Sequence, residues 1–292
     1  MVSQEELAAV DLLIWQRTGA LAAQLSGCNQ STVSRRLARA AQVFGIRLRR
    51  IKGEWNVWGQ DGLLLMERQL HQVGRLLGHG PLRLEVSPYL GPFLAAPPPP
   101  GWVLGPMDHV GVGRPLQLIR ERVIDAWITD NTLELPHPAM PSEELDVMPL
   151  VRFPVFLVGD RSHPLAGSSG LREEDRRSFP SLRVPADGFP RASALLEGLG
   201  LGSLEVGMRC YDPSLWEGRA SDGGTLLYGT PFNGHQHPGL VTIDSNPLLW
   251  NTVALVCRRD VATEARIADL KVLLCARFAQ LAASLDHLQL LR

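Results

Sequence analysis

The chain has 292 residues, 45% of them hydrophobic and 20% charged, with a net charge of −1. That length suits about two or three domains with sizeable cores. No apolar run approaches the roughly 20 residues that span a bilayer, and residues 1–11 carry acids where a secretory leader has a basic region followed by an apolar one, so no membrane association or export is expected.

The four cysteines, Cys28, Cys210, Cys257 and Cys275, lack C-x-x-C spacing. That suits a reducing, cytoplasmic setting. The near-neutral total charge hides an asymmetry. Residues 1–60 hold eight basic residues (Arg17, Arg35, Arg36, Arg39, Arg47, Arg49, Arg50, Lys52) against four acids (Glu5, Glu6, Asp11, Glu54), a balance of +4 that leaves −5 for the rest. A basic amino-terminal module on a mildly acidic body points to an anionic partner for the module, the alternative being a merely solvated charged face.

In chain order, apolar residues at 7, 10, 13 and 14 predict a first helix. Thr18 can cap a second helix built on "ALAAQL", and "SGCN" breaks it. A third helix is predicted from about Gln30 to Phe44, stopped by Gly45. "IRLRRI" and "WNVW", separated by "KGE", predict a hairpin. Residues 1–60 thus have the layout of an all-α winged helix-turn-helix carrying a small β-wing. Residues 61–79 read as a linker helix whose apolar stripe (Leu63, Met66, Leu70, Val73, Leu77) finds no partner in so small a head. A second copy of the chain would cover it, or else the chain's own body. From 80 onward, strands alternate with helices and a long amphipathic helix closes the chain, which predicts an α/β body with largely parallel sheets.

On the third helix, Val33, Leu37, Ala40, Ala41 and Phe44 share one face, and Ser31, Thr32, Arg35, Arg36 and Arg39 share the opposite one. Small polar residues at its start (Asn29, Gln30, Ser31, Thr32, Ser34) let such a helix enter a major groove, where Gln can pair with adenine. Arg35, Arg36 and Arg39 can hold phosphates or read guanine. Arg49, Arg50 and Lys52 on the hairpin can follow the backbone or the minor groove.

The segment "GALAAQLSGCNQSTVSRRLARAAQVFGIRLRR" resembles the helix-turn-helix of LysR-type transcriptional regulators. "MPLVRFPVFLVGDRSHPLAG" and "ERVIDAWITD" resemble strands of that family's effector domain. The turn before Asn29 is about one residue longer than the family pattern, the wing lacks its Phe-x-Arg, and the linker helix is short. The resemblance implies a DNA-binding head over 1–60, a linker and dimerisation helix over 61–79, and a two-lobed, periplasmic-binding-protein-like (type 2) effector domain over 80–292. Lobe I would take about 80–158 and 245–292, and lobe II about 159–244. It also implies double-stranded DNA, a small-molecule effector and a second copy (homodimer or homotetramer) as partners, with RNA polymerase as one more that such a regulator admits. No cofactor and no enzymatic activity are expected.

Ligands of open α/β sheets sit beyond the carboxyl ends of the strands. That rule nominates Ser87, Thr129, Asp130, Tyr228 and Thr230, with Asp187 closing the other side; for each, a turn or cap role is the competing reading. Metal binding by His235 to His237 is set aside for want of further ligands. "GVGRP" and "GLGLG" match no phosphate-binding loop, and Ser193 lacks a nucleophile elbow. A small-molecule-binding α/β protein or enzyme with a protein-interaction head stays open as the other class of function.

Overall fold

The computed structural model describes residues 2–136, 142–208, 210–232, 239–285 and 287–291. His235 to His237 lie outside the described residues. The head comprises helices α1 (Gln4–Gln16), α2 (Gly19–Leu25) and α3 (Gln30–Phe44), then strands β1 (Arg47–Ile51) and β2 (Glu54–Trp58). Ser3 opens α1 with a capping box: its hydroxyl accepts from Glu6 N at 3.3 Å while Glu6 Oε2 accepts from Ser3 N at 2.8 Å. Thr18 and Asn29 cap α2 and α3 through their side-chain oxygens. β1 and β2 pair antiparallel across a two-residue turn at Lys52 and Gly53, both at positive φ (50° and 89°), the geometry that twists with a hairpin.

α4 (Gly62–Leu76) leads into the body. There follow β3 (Leu82–Val86), α5 (Gly91–Leu94), β4 (Trp102–Leu104), α6 (Gly113–Arg120), β5 (Ala126–Thr129) and the long β6 (Leu145–Asp160). Next come α7 (Glu173–Arg177), β7 (Leu182–Arg183), α8 (Pro190–Gly198), β8 (Leu204–Glu205), α9 (Pro213–Trp216), β9 (Leu227–Gly229) and β10 (Leu240–Thr242). β11 (Leu249–Arg258), α10 (Ala265–Leu281) and β12 (Gln289–Leu290) complete the chain.

The main sheet runs β10-β6-β11-β5-β3-β4, with β9 and β12 also on β6. Only β3, β4 and β5 are mutually parallel there; β6 and β11 run antiparallel to each other and to their other neighbours. The sheet is therefore mixed, not largely parallel. Both long strands carry the chain between lobes: the first part of β6 pairs with β11, and its last residues pair with β9 and β10. One lobe packs α10 under β3, β5 and β11 through Leu84, Ile128, Leu255, Leu270, Leu274 and Phe278. The other gathers around Leu157, Leu196, Leu226 and Ile243. The closing helix stops at Leu281, and Gln289–Leu290 returns as a strand on β6, where the apolar pattern alone predicts one continuous helix.

The head is not a tethered module. One apolar cluster joins Leu7, Val10, Ile14, Trp15, Val33 and Phe44 of the head to Leu118, Ile119, Ile124, Trp127 and Leu145 of the body. Buried ion pairs reinforce the seam. Asp11 takes Arg68 Nε at 2.8 Å and Arg83 at 3.1 Å, and Asp125 takes Arg75 at 2.7 Å. α1 is apolar on two sides because it faces α3 on one and the body on the other.

Candidate nucleic-acid interface and ligand cleft

α3 buries Val33, Ala40 and Phe44 and turns Gln30, Ser31, Ser34, Arg35 and Arg39 to solvent, with Thr32 and Arg36 half-buried. Several polar groups also act within the head. Asn29 Oδ1 accepts from Thr32 N and from Ser31 Oγ, both at 2.8 Å, so its amide oxygen serves the helix cap. Gln30 packs over Gly19, where a β-carbon would sit 2.9 Å from Gln30 Nε2. Ser34 donates back to Gln30 O at 3.1 Å, and Arg35 donates to Thr32 Oγ1 at 3.1 Å. Arg39 pairs with the largely buried Glu6 at 3.0 Å. On the wing, Arg49 stacks 4.7 Å from the Trp58 ring, Arg50 bonds Gly53 O at 3.0 Å, and Lys52 stands exposed at the tip. Arg35, Arg39, Arg49, Arg50 and Lys52 are basic and exposed on helix and wing, while Arg36 is half-buried, donates to Cys28 and shares a cavity with Gly80, Pro81 and Arg83 of the body.

α4 turns Leu63, Met66, Leu70, Val73 and Leu77 outward, each between 45% and 70% exposed. Its other face buries Arg68, Gln72 and Arg75. The outward stripe is the one predicted from spacing. The buried polar face is not legible that way, because long cationic side chains ordinarily mark the solvent side.

A cavity of about 270 Å³ opens between the lobes. Asp130, Tyr228 and Thr230 of the sequence-nominated residues line it. Ser87 and Thr129 lie buried behind, Ser87 Oγ donating to Thr129 Oγ1 at 3.2 Å. Asp187 is exposed and outside the lining. The strand-end rule missed most of the wall, including its aromatic members Tyr89, Phe189, Tyr211, Trp216 and Trp250. Tyr89 and Tyr211 meet edge-on at 4.8 Å. Only Tyr89, two residues past Ser87, carried a signal that the rule could have used.

Lobe-to-lobe contacts hold the cleft. Glu134, beyond β5, accepts from Arg191 N at 3.1 Å and Ala192 N at 2.7 Å at the start of α8. Val112 N donates to Gly188 O at 3.2 Å, where Gly111 and Gly188 pass so closely that a β-carbon on Gly111 would lie 2.6 Å from Gly188 Cα. Burial pushes the Asp130 carboxyl up from its ordinary value.

The cleft also touches the head. His109, in the cleft wall, sits 3.6 Å from Glu85 Oε2, and Trp15 Nε1 of α1 donates to that same oxygen at 2.7 Å. Burial pushes Glu85 up to about 7 and His109 down to about 4. Gly105 makes the Trp15–Glu85 bond possible, since a β-carbon there would lie 2.6 Å from Trp15 Nε1. Arg17, at the end of α1, pairs with Asp108 and donates to Cys210 Sγ at 3.0 Å.

Among the described residues, no group of three or more His, Cys, Asp or Glu could hold a metal ion. No helix described is long and apolar enough to cross a membrane.

No protein-family model matches the chain, and no curated protein matches it. Solved structures do. A full-length OxyR from Pseudomonas aeruginosa is 16% identical with a TM-score of 0.58, over 94% of this chain and 95% of that one. A probable transcriptional regulator from Pseudomonas aeruginosa is 14% identical with a TM-score of 0.59, over 94% and 96%. The regulatory domain of MetR, a LysR family regulator from Neisseria meningitidis, is 16% identical with a TM-score of 0.52, over 73% and 100%. The chain therefore has the full-length fold of these regulators: winged helix-turn-helix, linker helix and two-lobed α/β domain.

Proposed function

We propose that this protein is a LysR-type, DNA-binding transcription regulator, not an enzyme, with a small-molecule effector in the inter-lobe cleft. The observation that carries the reading is the set of exposed basic side chains on α3 and the β1–β2 wing (Arg35, Arg39, Arg49, Arg50, Lys52) on a chain with this fold. Helix α3 enters the major groove of duplex DNA with Gln30, Ser31, Thr32 and Ser34 leading. Arg35 and Arg36 reach phosphate or guanine. Arg49, Arg50 and Lys52 follow the flanking backbone. Asn29 contributes by shaping the helix start, and Arg39 is shared between DNA and Glu6.

The exposed α4 stripe docks on the same stripe of a second copy, which pairs two heads for two half-sites. Because head and lobe I share a core, the ligand acts by setting lobe II against that combined body, not by swinging the head alone. His109, Glu85 and Trp15 form one polar connection between cleft and head, and Tyr211, Asp108 and Arg17 another. The effector shifts DNA binding by as much as its affinity differs between the two lobe arrangements.

The test is a salt titration of the full-length chain on bound genomic DNA fragments recovered with it. Arg35→Ala and Arg50→Ala should each weaken binding and lower the slope of log affinity against log salt by about one. Binding and slopes equal to wild type would sink the DNA-binding reading.

A further inference from the structure

The cleft's hydrogen-bonding groups and charges narrow what it can hold. Resting on the reading of that cleft as the effector site, we infer that it takes a small aromatic amine and rejects the carboxylate of the same skeleton.

An anion needs donors, and the cleft's hydroxyl, amide and helix-start donors are largely committed. Tyr228 gives its hydroxyl to Leu182 O at 2.6 Å, and Tyr211 gives its own to Glu217 Oε1 at 2.7 Å. Asn251 Nδ2 donates to Asp130 O at 2.7 Å. The backbone N–H groups at the start of α8, the natural anion seat in such a wall, already hold the Glu134 carboxylate.

Cations are committed or missing as well. Among the described residues no Lys or Arg lines the cleft. The arginines of adjoining segments are engaged: Arg191 to the carbonyls of Leu133 and Leu135, Arg17 to Asp108 and Glu54, Arg152 over the Trp250 ring at 4.9 Å. His109, buried, stays neutral at physiological pH.

What the cleft offers instead is acceptor and π surface. Asp130 stands in the wall with no cation paired to it among the described residues, and burial raises its carboxyl against the hydrogen bond that Ser87 gives it. An ammonium group brought by a ligand would supply that missing charge. All three tyrosines of the chain line the cavity, joined by Phe189, Trp216 and Trp250. Ring faces favour cations and stack on aromatic bodies. A volume of about 270 Å³ fits a molecule of one ring, or two small ones.

The experiment is calorimetric titration of the full-length protein at neutral pH with phenylpropylamine, phenylpropanol and phenylpropanoate, which share a skeleton and differ in charge. The amine should bind tightest, the alcohol next, and the carboxylate at least about tenfold below the amine. Asp130→Asn should cut the amine's affinity by about tenfold and leave the alcohol within about twofold. Glu134→Ala, by emptying the start of α8, should raise the carboxylate's affinity several-fold. A carboxylate that binds as well as the amine, or an amine preference that survives Asp130→Asn, overturns the inference while leaving the cleft a ligand site. Failure of all three probes to bind, or binding that filling the cleft with Ala192→Trp leaves unchanged, overturns the reading of the cleft itself.

Discussion

Glu85 and His109 are two ionisable groups buried within 3.6 Å of each other, and their shifts oppose. Glu85 is raised from 4.5 to about 7, so alone it makes the folded state bind more protons than the unfolded one between those values. Stability from that group is therefore lost as pH rises through that window. His109 is lowered from 6.5 to about 4, so alone it makes the folded state bind fewer protons, and stability is lost as pH falls from 6.5 towards 4. Between about 4.5 and 6.5 the two nearly cancel: folding moves a proton from imidazole to carboxyl and takes up none. Each single substitution should expose the other group's slope. Glu85→Gln keeps an acceptor for Trp15 Nε1 and should make the protein lose stability on acidification from pH 6.5. His109→Gln should make it lose stability on alkalinisation from pH 4.5. Each effect is at most about 3 kcal/mol over the window. Urea unfolding across pH, taken as variant minus wild type, measures both. Parallel curves for the three proteins would show that the pair does not titrate as a unit.

Helix α4 shows what a sequence pattern can and cannot carry. Its outward stripe is spaced at three and four and reads directly as an unpartnered apolar face. Its inward face holds Arg68, Gln72 and Arg75, which binary patterning assigns to solvent. Only the placement of Asp11, Glu121 and Asp125 from three other segments turns them inward. The same limit applies to α1. Ala9, Leu12 and Trp15 give it a second apolar side, a signal present in the sequence, but the body that covers that side lies about 70 residues or more further along the chain. Helix α3, its stop at Gly45 and the hairpin turn were legible because each depends on neighbours within a few residues, whereas Asn29, expected on DNA, serves the helix cap. The cleft's aromatic wall was not, because Tyr89, Tyr211 and Trp250 converge only after the sheet has formed. The two faces of α4 should respond differently to substitution. Met66→Glu with Leu70→Glu should leave the circular dichroism and unfolding curve of the monomer intact and abolish self-association in sedimentation equilibrium. Arg68→Met should cost about 3 kcal/mol in urea unfolding, since it strips Asp11 and Glu121 of a buried partner that Arg83 replaces only in part. A wild-type chain that sediments as a monomer at all concentrations would remove the second copy from the account of the stripe.

At the scale of the molecule, the shared core decides how many bodies move. A head joined only by a linker could rotate on its own, and a ligand in the cleft would need a lever to reach it. Here α1 is built into lobe I by Trp15 on Glu85, by Asp11 between Arg68 and Arg83, and by an apolar cluster with members on both sides. Head and lobe I then share one core, and lobe II meets them at the cleft and at the Arg17–Cys210 contact. The consequence can be tested by cutting the chain. A fragment of residues 1–80 keeps all three head helices, the wing and α4, but loses Leu118, Ile119, Ile124 and Trp127 from the cluster. Re-exposing Trp15 and two or three aliphatic neighbours costs about 5 kcal/mol. A domain this small has little more than about 5 kcal/mol of stability in total. Asp11 also loses Arg83, and Arg75 loses Asp125. The fragment should therefore retain helical far-ultraviolet signal while losing the near-ultraviolet signal of its tryptophans, cooperative unfolding, and slow amide exchange in α1. Restoring the body should restore all three. A fragment that unfolds cooperatively with α1 protected would show that the head stands alone, and any coupling between cleft and head would then have to run through a swing of the head on its linker.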